Sequence, residues 1–163
     1  MIKIKHLVLL MVCAVTAFTA CSKKEEADNF DAAAQFTKDT TAIRAFVVAN
    51  KIPAIKDPKT GLFYQVITAA PGNFVYQTNS SVTVNYTGSV LGGAVFDTTN
   101  GKPITFDSLN QLILGWQIGI PLVQPGGRIR LFVPSGLGYG NRGGMPFPQN
   151  SNLDFTIDVI SAK

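Results

Sequence analysis

Cysteine and histidine are almost missing from this 163-residue chain, and the few present sit at one end. The single histidine, His6, and both cysteines, Cys13 and Cys21, fall before residue 22. The remainder holds no pair of thiols for a disulfide and no Cys/His set for an ordinary zinc site. It also lacks the imidazole on which most general-base hydrolase mechanisms rest. Charge is scarce too, at 15% of residues, while a hydrophobic content of 46% excludes a disordered chain. Lysine and arginine are scattered apart from Lys23–Lys24 and Arg128/Arg130, so no basic stripe is available for nucleic acid. The apolar run Leu7–Phe18 falls short of the ~20 residues a membrane-spanning helix needs.

What is present begins with a leader. Met1–Ala20 has a basic start (Lys3, Lys5), a short apolar stretch and a small residue before Cys21, the layout of a secretory signal. The junction resembles a bacterial lipobox, with Phe18 where that motif prefers an aliphatic residue. Two readings follow, ordinary cleavage and lipidation of Cys21. Lipidation is favoured because it removes an otherwise unpaired thiol in an oxidising compartment. It implies a membrane partner through the lipid anchor and a place in the bacterial cell envelope, at the outer membrane or facing the periplasm. Loss of the leader also halves the formal charge of +4. Residues 21–37 read as a flexible tether, and its Lys-Glu-Glu cluster resembles some surface-export signals.

The next segment, 38–60, reads as a short helix and linker. Ala32–Ala34 with Gln35 and Phe36 allow one or two turns. Thr40–Asn50 is the stronger helix, with Ile43, Phe46 and Val47 on one face and Asp39 or Thr40 as the cap. Such a helix is expected to pack on the domain's edge. Pro53 and Pro58 then break the pattern, and the globular domain is expected over 61–163.

Within that domain the stretch Val82–Asp97 alternates Val82, Val84 and Tyr86 with Thr83 and Asn85, turns through glycine and resumes as Val95–Phe96–Asp97. Two aromatics and one acid at the end of a hairpin suit an apolar pocket with a polar anchor. An ordinary hairpin with Asp97 in solvent is the plainer alternative. Further on, an apolar segment, Leu109–Leu122, carries the only tryptophan, Trp116, with Asp107 or Ser108 as its cap. Gly115 and Gly119 weaken this segment as a helix and Pro121 ends it. RIRLFV (128–133) and LDFTIDV (153–159) alternate as strands, and GYG (138–140) opens a long Gly/Pro-rich loop.

Taken together, VTVNYTG, VFD, KPITF, LILGWQIGI, QPGGRIRLFVP, GYG and LDFTIDV resemble the FKBP-type peptidyl-prolyl isomerases, in that family's order and near its spacing. The resemblance implies an α+β fold, a strongly twisted antiparallel sheet wrapped around one short helix, here with a short N-terminal helical extension. It implies that Tyr86, Asp97 and Tyr139 are catalytic and that Phe96, Ile104, Leu112, Ile113, Trp116, Phe147 and Phe155 bind substrate. Trp116 would be the floor under the proline ring. The Ile113 N–H and Tyr139 hydroxyl would hold substrate carbonyls, and Phe147 would close one side. Ile104 stands where the family often has an aromatic. The loop Thr98–Gly101 lacks the arginine that pairs with the acid in other members, leaving Tyr86 as a candidate partner for Asp97. The implied activity is rotation of X–Pro bonds without cofactor or metal. Proline-containing polypeptides are the implied partners, and macrolide-type compounds the implied inhibitors. A non-catalytic binding or chaperone module anchored to the envelope is the alternative from a different class. Absence or presence of turnover on a short X–Pro peptide separates the two.

Overall fold

The computed structural model describes residues 30–163. The expected signal segment, Cys21 and most of the expected tether lie outside the described residues. Among the described residues there are seven strands: β1 (Ile55–Lys56), β2 (Phe63–Thr68), β3 (Val82–Val90), β4 (Val95–Thr98), β5 (Ile104–Phe106), β6 (Arg128–Val133) and β7 (Leu153–Ala162). They pair antiparallel in the order β1-β2-β6-β7-β3-β4, and β5 pairs with the first half of β3. Alternation decides which side chains go where. Leu153, Phe155, Ile157 and Val159 of β7 join Ile129, Leu131 and Val133 of β6 and Val82 and Val84 of β3 in the main core. The intervening Asp154 faces the other way and takes a two-pronged ion pair from Arg130, at 2.9 and 2.7 Å.

The helix α1 (Ala32–Ala49) is longer and starts earlier than the sequence suggested. Asp31 caps it, its carboxylate accepting the Ala33 and Ala34 N–H groups at 3.0 and 2.9 Å. The three alanines that follow, among the best helix formers, continue the helix through the stretch assigned to the tether. Asp39, expected as a cap, lies mid-helix and buried. The helix also does more than skirt an edge. Its Ile43 and Val47 pack on Phe63 and Phe132, forming a second small core. Phe63 and Phe132 pair across β2 and β6, on the side of the sheet opposite the main core. The residues assigned to a linker supply β1, which pairs with β2.

On the main-core side the expected single segment Leu109–Leu122 is three pieces: a 3₁₀ turn (Leu109–Gln111), the helix α2 (Leu114–Gly119) and a second 3₁₀ turn (Ile120–Leu122). Ser108 stands at the cap position of the first of these pieces, though its side chain makes no capping hydrogen bond there, and neither it nor Asp107 stands at the cap position of α2. Ile113 occupies that position, and the Ser108 hydroxyl donates to the Thr78 carbonyl at 3.1 Å instead. The glycines that weaken α2 have a packing cause. A Cβ on Gly119 would stand 2.5 Å from the Leu131 methyls, and one on Gly115 2.7 Å from Val133 Cγ1. Glycine therefore lets the helix lie directly on β6, and the contact offsets its poor propensity.

Candidate functional site

The close approach of α2 to the sheet brings Trp116 beneath a cleft of about 520 Å³. Its lining includes Tyr86, Asp97, Leu112, Ile113, Trp116, Tyr139 and Phe155, seven of the ten residues expected within the domain. Five of them arrive on five different supports, and Leu112 and Ile113 lead into α2. β3 presents Tyr86, β4 Asp97, β7 Phe155 and α2 Trp116, while the loop after β6 presents Tyr139. Trp116 is 4% exposed. Tyr86, Phe106 and Phe155 meet its ring edge-on, with centroids 5.0, 5.8 and 5.4 Å away. This is the arrangement that aromatic quadrupoles favour. The indole N–H is buried and finds no acceptor among the described residues.

Phe96 and Phe147 do not line the cleft itself but stand behind its wall. Phe96 packs on Phe155 at 5.8 Å and on Phe147 at 4.6 Å, and Phe147 reaches Tyr139 at 5.6 Å. Rings therefore run continuously from Trp116 to Tyr139. Ile104 is placed otherwise: it opens β5, is 43% exposed and is not part of the lining. Its partner on the same strand face, Phe106, provides the wall there.

The acid has found its partner. Tyr86 Oη–H donates to Asp97 Oδ2 at 2.5 Å. Burial pushes the Tyr86 hydroxyl's pKa well above the usual tyrosine range, and the Asp97 hydrogen bond and charge push it further. Tyr139 is raised first by burial and then by Asp97, with Arg142 opposing. Arg142 belongs to the long loop and lines the cleft together with Gln111, Leu114, Gly136 and Gly138. Sequence reasoning missed these residues because loops and one-turn segments are too short to carry a periodicity, and Leu114 opens a helix of only six residues. Ile113, at the N-terminal end of α2, is where a helix leaves backbone N–H groups without intrahelical partners. The cleft thus combines a buried aromatic floor with a phenol, a helix N-terminus and a carboxylate held by Tyr86.

A pH dependence follows. Tyr76, a third tyrosine, is pushed up to about 12 by burial alone. All three bind their proton more tightly folded than unfolded, so the unfolded chain deprotonates first as pH rises. Stability should therefore be unaffected by these groups below pH ~10 and fall above it, until the folded tyrosines also ionise. Urea denaturation between pH 8 and 11.5 checks this, and a midpoint that does not fall above pH 10 would contradict it.

Comparison with known proteins agrees with this geometry. Residues 74–160 match the family model described as FKBP-type peptidyl-prolyl cis-trans isomerase. The chain belongs to this family. It is 36% identical over 115 residues to the FKBP-type peptidyl-prolyl cis-trans isomerase FkpA of Escherichia coli K12, covering 69% of this chain and 42% of that one. It is 42% identical over 123 residues to the outer membrane protein MIP of Legionella longbeachae, covering 73% of this chain and 52% of that one. The crystal structure of E. coli FkpA superposes with a TM-score of 0.64 at 32% identity, over 80% of this chain and 63% of that one. That of a Pseudomonas syringae peptidyl-prolyl isomerase gives 0.64 at 27%, over 78% and 95%. The chain spans about half the length of the relatives it matches in sequence. The FKBP-type fold, an antiparallel sheet with one short helix on its core side, is the architecture described above.

Proposed function

We propose that this chain is a peptidyl-prolyl cis–trans isomerase that accelerates X–Pro rotation in polypeptides of the cell envelope. The observation that carries the reading is the buried Trp116 floor, met edge-on by Tyr86, Phe106 and Phe155, beneath a cleft whose polar groups, Asp97, Gln111, Tyr139 and Arg142 among them, stand around that aromatic base. An X–Pro bond rotates through a barrier near ~20 kcal/mol because twisting it breaks amide resonance. The planar amide is the more charge-separated form, and water stabilises it over the twisted one. An aromatic cleft withdraws that stabilisation and fits a proline ring. Donors at the Ile113 N–H and the Tyr139 hydroxyl would hold flanking carbonyls and favour the twisted geometry, which is selective binding of the transition state. Lowering the barrier by ~4 kcal/mol gives roughly a thousandfold. The chemistry asks for no nucleophile, proton transfer or cofactor from the protein.

The test is a proline-limited refolding assay and a short X–Pro peptide assay on the purified chain. Acceleration supports the reading, and binding without turnover would make the chain a binding module instead. Asp97→Val leaves the Tyr86 hydroxyl without its acceptor, and the loss of one charge-assisted hydrogen bond should lower kcat/KM about 3–30-fold. Global stability should move little, because Asp97 is exposed. Macrolide-type compounds should compete for the same cleft.

The reading extends to location. The leader, Cys21 and the outer-membrane name of the Legionella relative support a lipid-anchored envelope protein. Fatty-acid labelling that is lost in Cys21→Ser would support the anchor, and labelling that never occurs would remove it.

A further inference from the structure

Asp39 is the buried carboxylate that the pocket chemistry leaves unused. It lies in the middle of α1 and is 2% exposed. Its Oδ2 accepts two hydrogen bonds from one residue 96 positions later, the Ser135 N–H at 2.9 Å and the Ser135 Oγ–H at 2.6 Å. Its Oδ1 accepts Gln35 Nε2–H at 2.7 Å. Ser135 is itself 1% exposed and opens the 3₁₀ turn Ser135–Leu137 that follows β6. The third polar group of Ser135 continues the chain of contacts. Its carbonyl accepts the Gly138 N–H at 2.9 Å and the Gly140 N–H at 2.8 Å. Those two residues bracket Tyr139.

We propose that Asp39 is a positioning residue: from α1 it fixes Ser135, and through Ser135 it sets the loop that presents Tyr139 to the cleft. Three features make such an anchor necessary. The loop contains Gly136, Gly138, Gly140, Gly143 and Gly144, and a backbone this rich in glycine holds no single conformation by itself. Gly136 and Gly138 line the cleft, so movement of the turn alters its wall directly. The hydroxyl of Tyr139 must lie within a fraction of an ångström of a substrate carbonyl to act on it. The oxygen that matters to the loop is Oδ2, which accepts both the N–H and the hydroxyl of Ser135, while Oδ1 takes the Gln35 amide within α1. The helix outside the matched family segment thereby becomes part of the pocket's support, tied to it by a polar contact in addition to the apolar contact with Phe63 and Phe132.

The activity half of this inference rests on the isomerase reading, and the exchange half does not. In the full chain, Asp39→Ala should raise amide hydrogen exchange at Gly138 and Gly140 at least tenfold relative to amides in the centre of β7. Ser135→Ala keeps the N–H bond and should raise it less. Asp39→Asn retains an oxygen toward Ser135 and should stay near the wild-type rate. On kcat/KM, Asp39→Ala should cost about tenfold, mainly in kcat. Adding it to Tyr139→Phe should cost little more than Tyr139→Phe alone, because both act at one hydroxyl. Unmoved Gly138 and Gly140 exchange in Asp39→Ala, or in Ser135→Ala if the former does not fold, overturns the proposal, as do fully multiplicative losses in the double variant. A wild-type chain without turnover whose exchange still responds would overturn the isomerase reading and leave the positioning role standing.

Discussion

Trp116→Ala is expected to destabilise the domain by about 3–5 kcal/mol and to abolish measurable binding of X–Pro peptides. The residue is 4% exposed and serves as the common neighbour of three rings, Tyr86, Phe106 and Phe155. Each edge-to-face pair contributes about 0.5–1.5 kcal/mol beyond buried area. Truncation removes all three and leaves a void that the neighbours fill only in part. They belong to β3, β5 and β7, so any collapse toward the void distorts the cleft as well. Stability and binding separate through Trp116→Phe. It keeps an aromatic floor and deletes an indole N–H that has no acceptor among the described residues, so its stability cost should be well below that of alanine. Urea denaturation measures the first effect and calorimetric titration with an X–Pro peptide the second. Trp116 is the only tryptophan, so wild-type fluorescence should also respond directly to a bound peptide. If folded Trp116→Ala bound peptide as tightly as wild type, the cleft would not be the binding site.

The legibility of this site in the sequence depends on which residues sit in regular elements. Tyr86 and Phe155 were readable because strand alternation assigns their faces, and Trp116 because a lone tryptophan in a poor helix has to be an anchor. Phe106 carried the same signal as Ile104, two positions away on one strand face, and the structure uses the one nearer the core. Gln111 and Gly136 lie in single 3₁₀ turns and Arg142 in a loop, all too short or irregular for a period to betray direction. Asp97's partner could be named only among alternatives, because Tyr86 and Asp97 meet across a hairpin bulge whose register the sequence leaves undetermined. α1 is the instructive case. The consecutive apolar residues Leu131–Phe132–Val133 interrupt strict alternation, and such a run marks a strand covered on both faces. Read that way, RIRLFV calls for a layer over Phe132, and the helix carrying Ile43 and Val47 supplies it. Asp39 gave no such sign: locally it reads as a helix cap, and its partner Ser135 is 96 residues distant.

Adding one methyl group at Gly88 should have the next largest effect, for the opposite reason. Gly88 lies in β3 with Asp97 beside it on β4 and Phe155 on β7. A Cβ there would fall 2.5 Å from Phe155 Cε1, 2.9 Å from Phe155 Cδ1 and 3.1 Å from Phe96 Cζ. The backbone at Gly88 is not in the left-handed region, so alanine meets no conformational penalty and the clash is purely between side chains. Phe155 cannot yield freely, because its other side is packed edge-on against Trp116 at 5.4 Å. The ring must move into the cleft or force β3 and β7 apart at their longest pairing. Overpacking of this kind costs about 1–3 kcal/mol, and displacement of two wall rings should weaken X–Pro peptide binding roughly tenfold. A second substitution isolates the cause: Phe155→Leu in the Gly88→Ala chain relieves the clash and should recover much of the stability while leaving binding weak, since the wall ring is then gone. Gly88→Ala with unchanged stability and affinity would mean that Phe155 has room to retreat, and that the aromatic wall is not held as tightly as its packing implies.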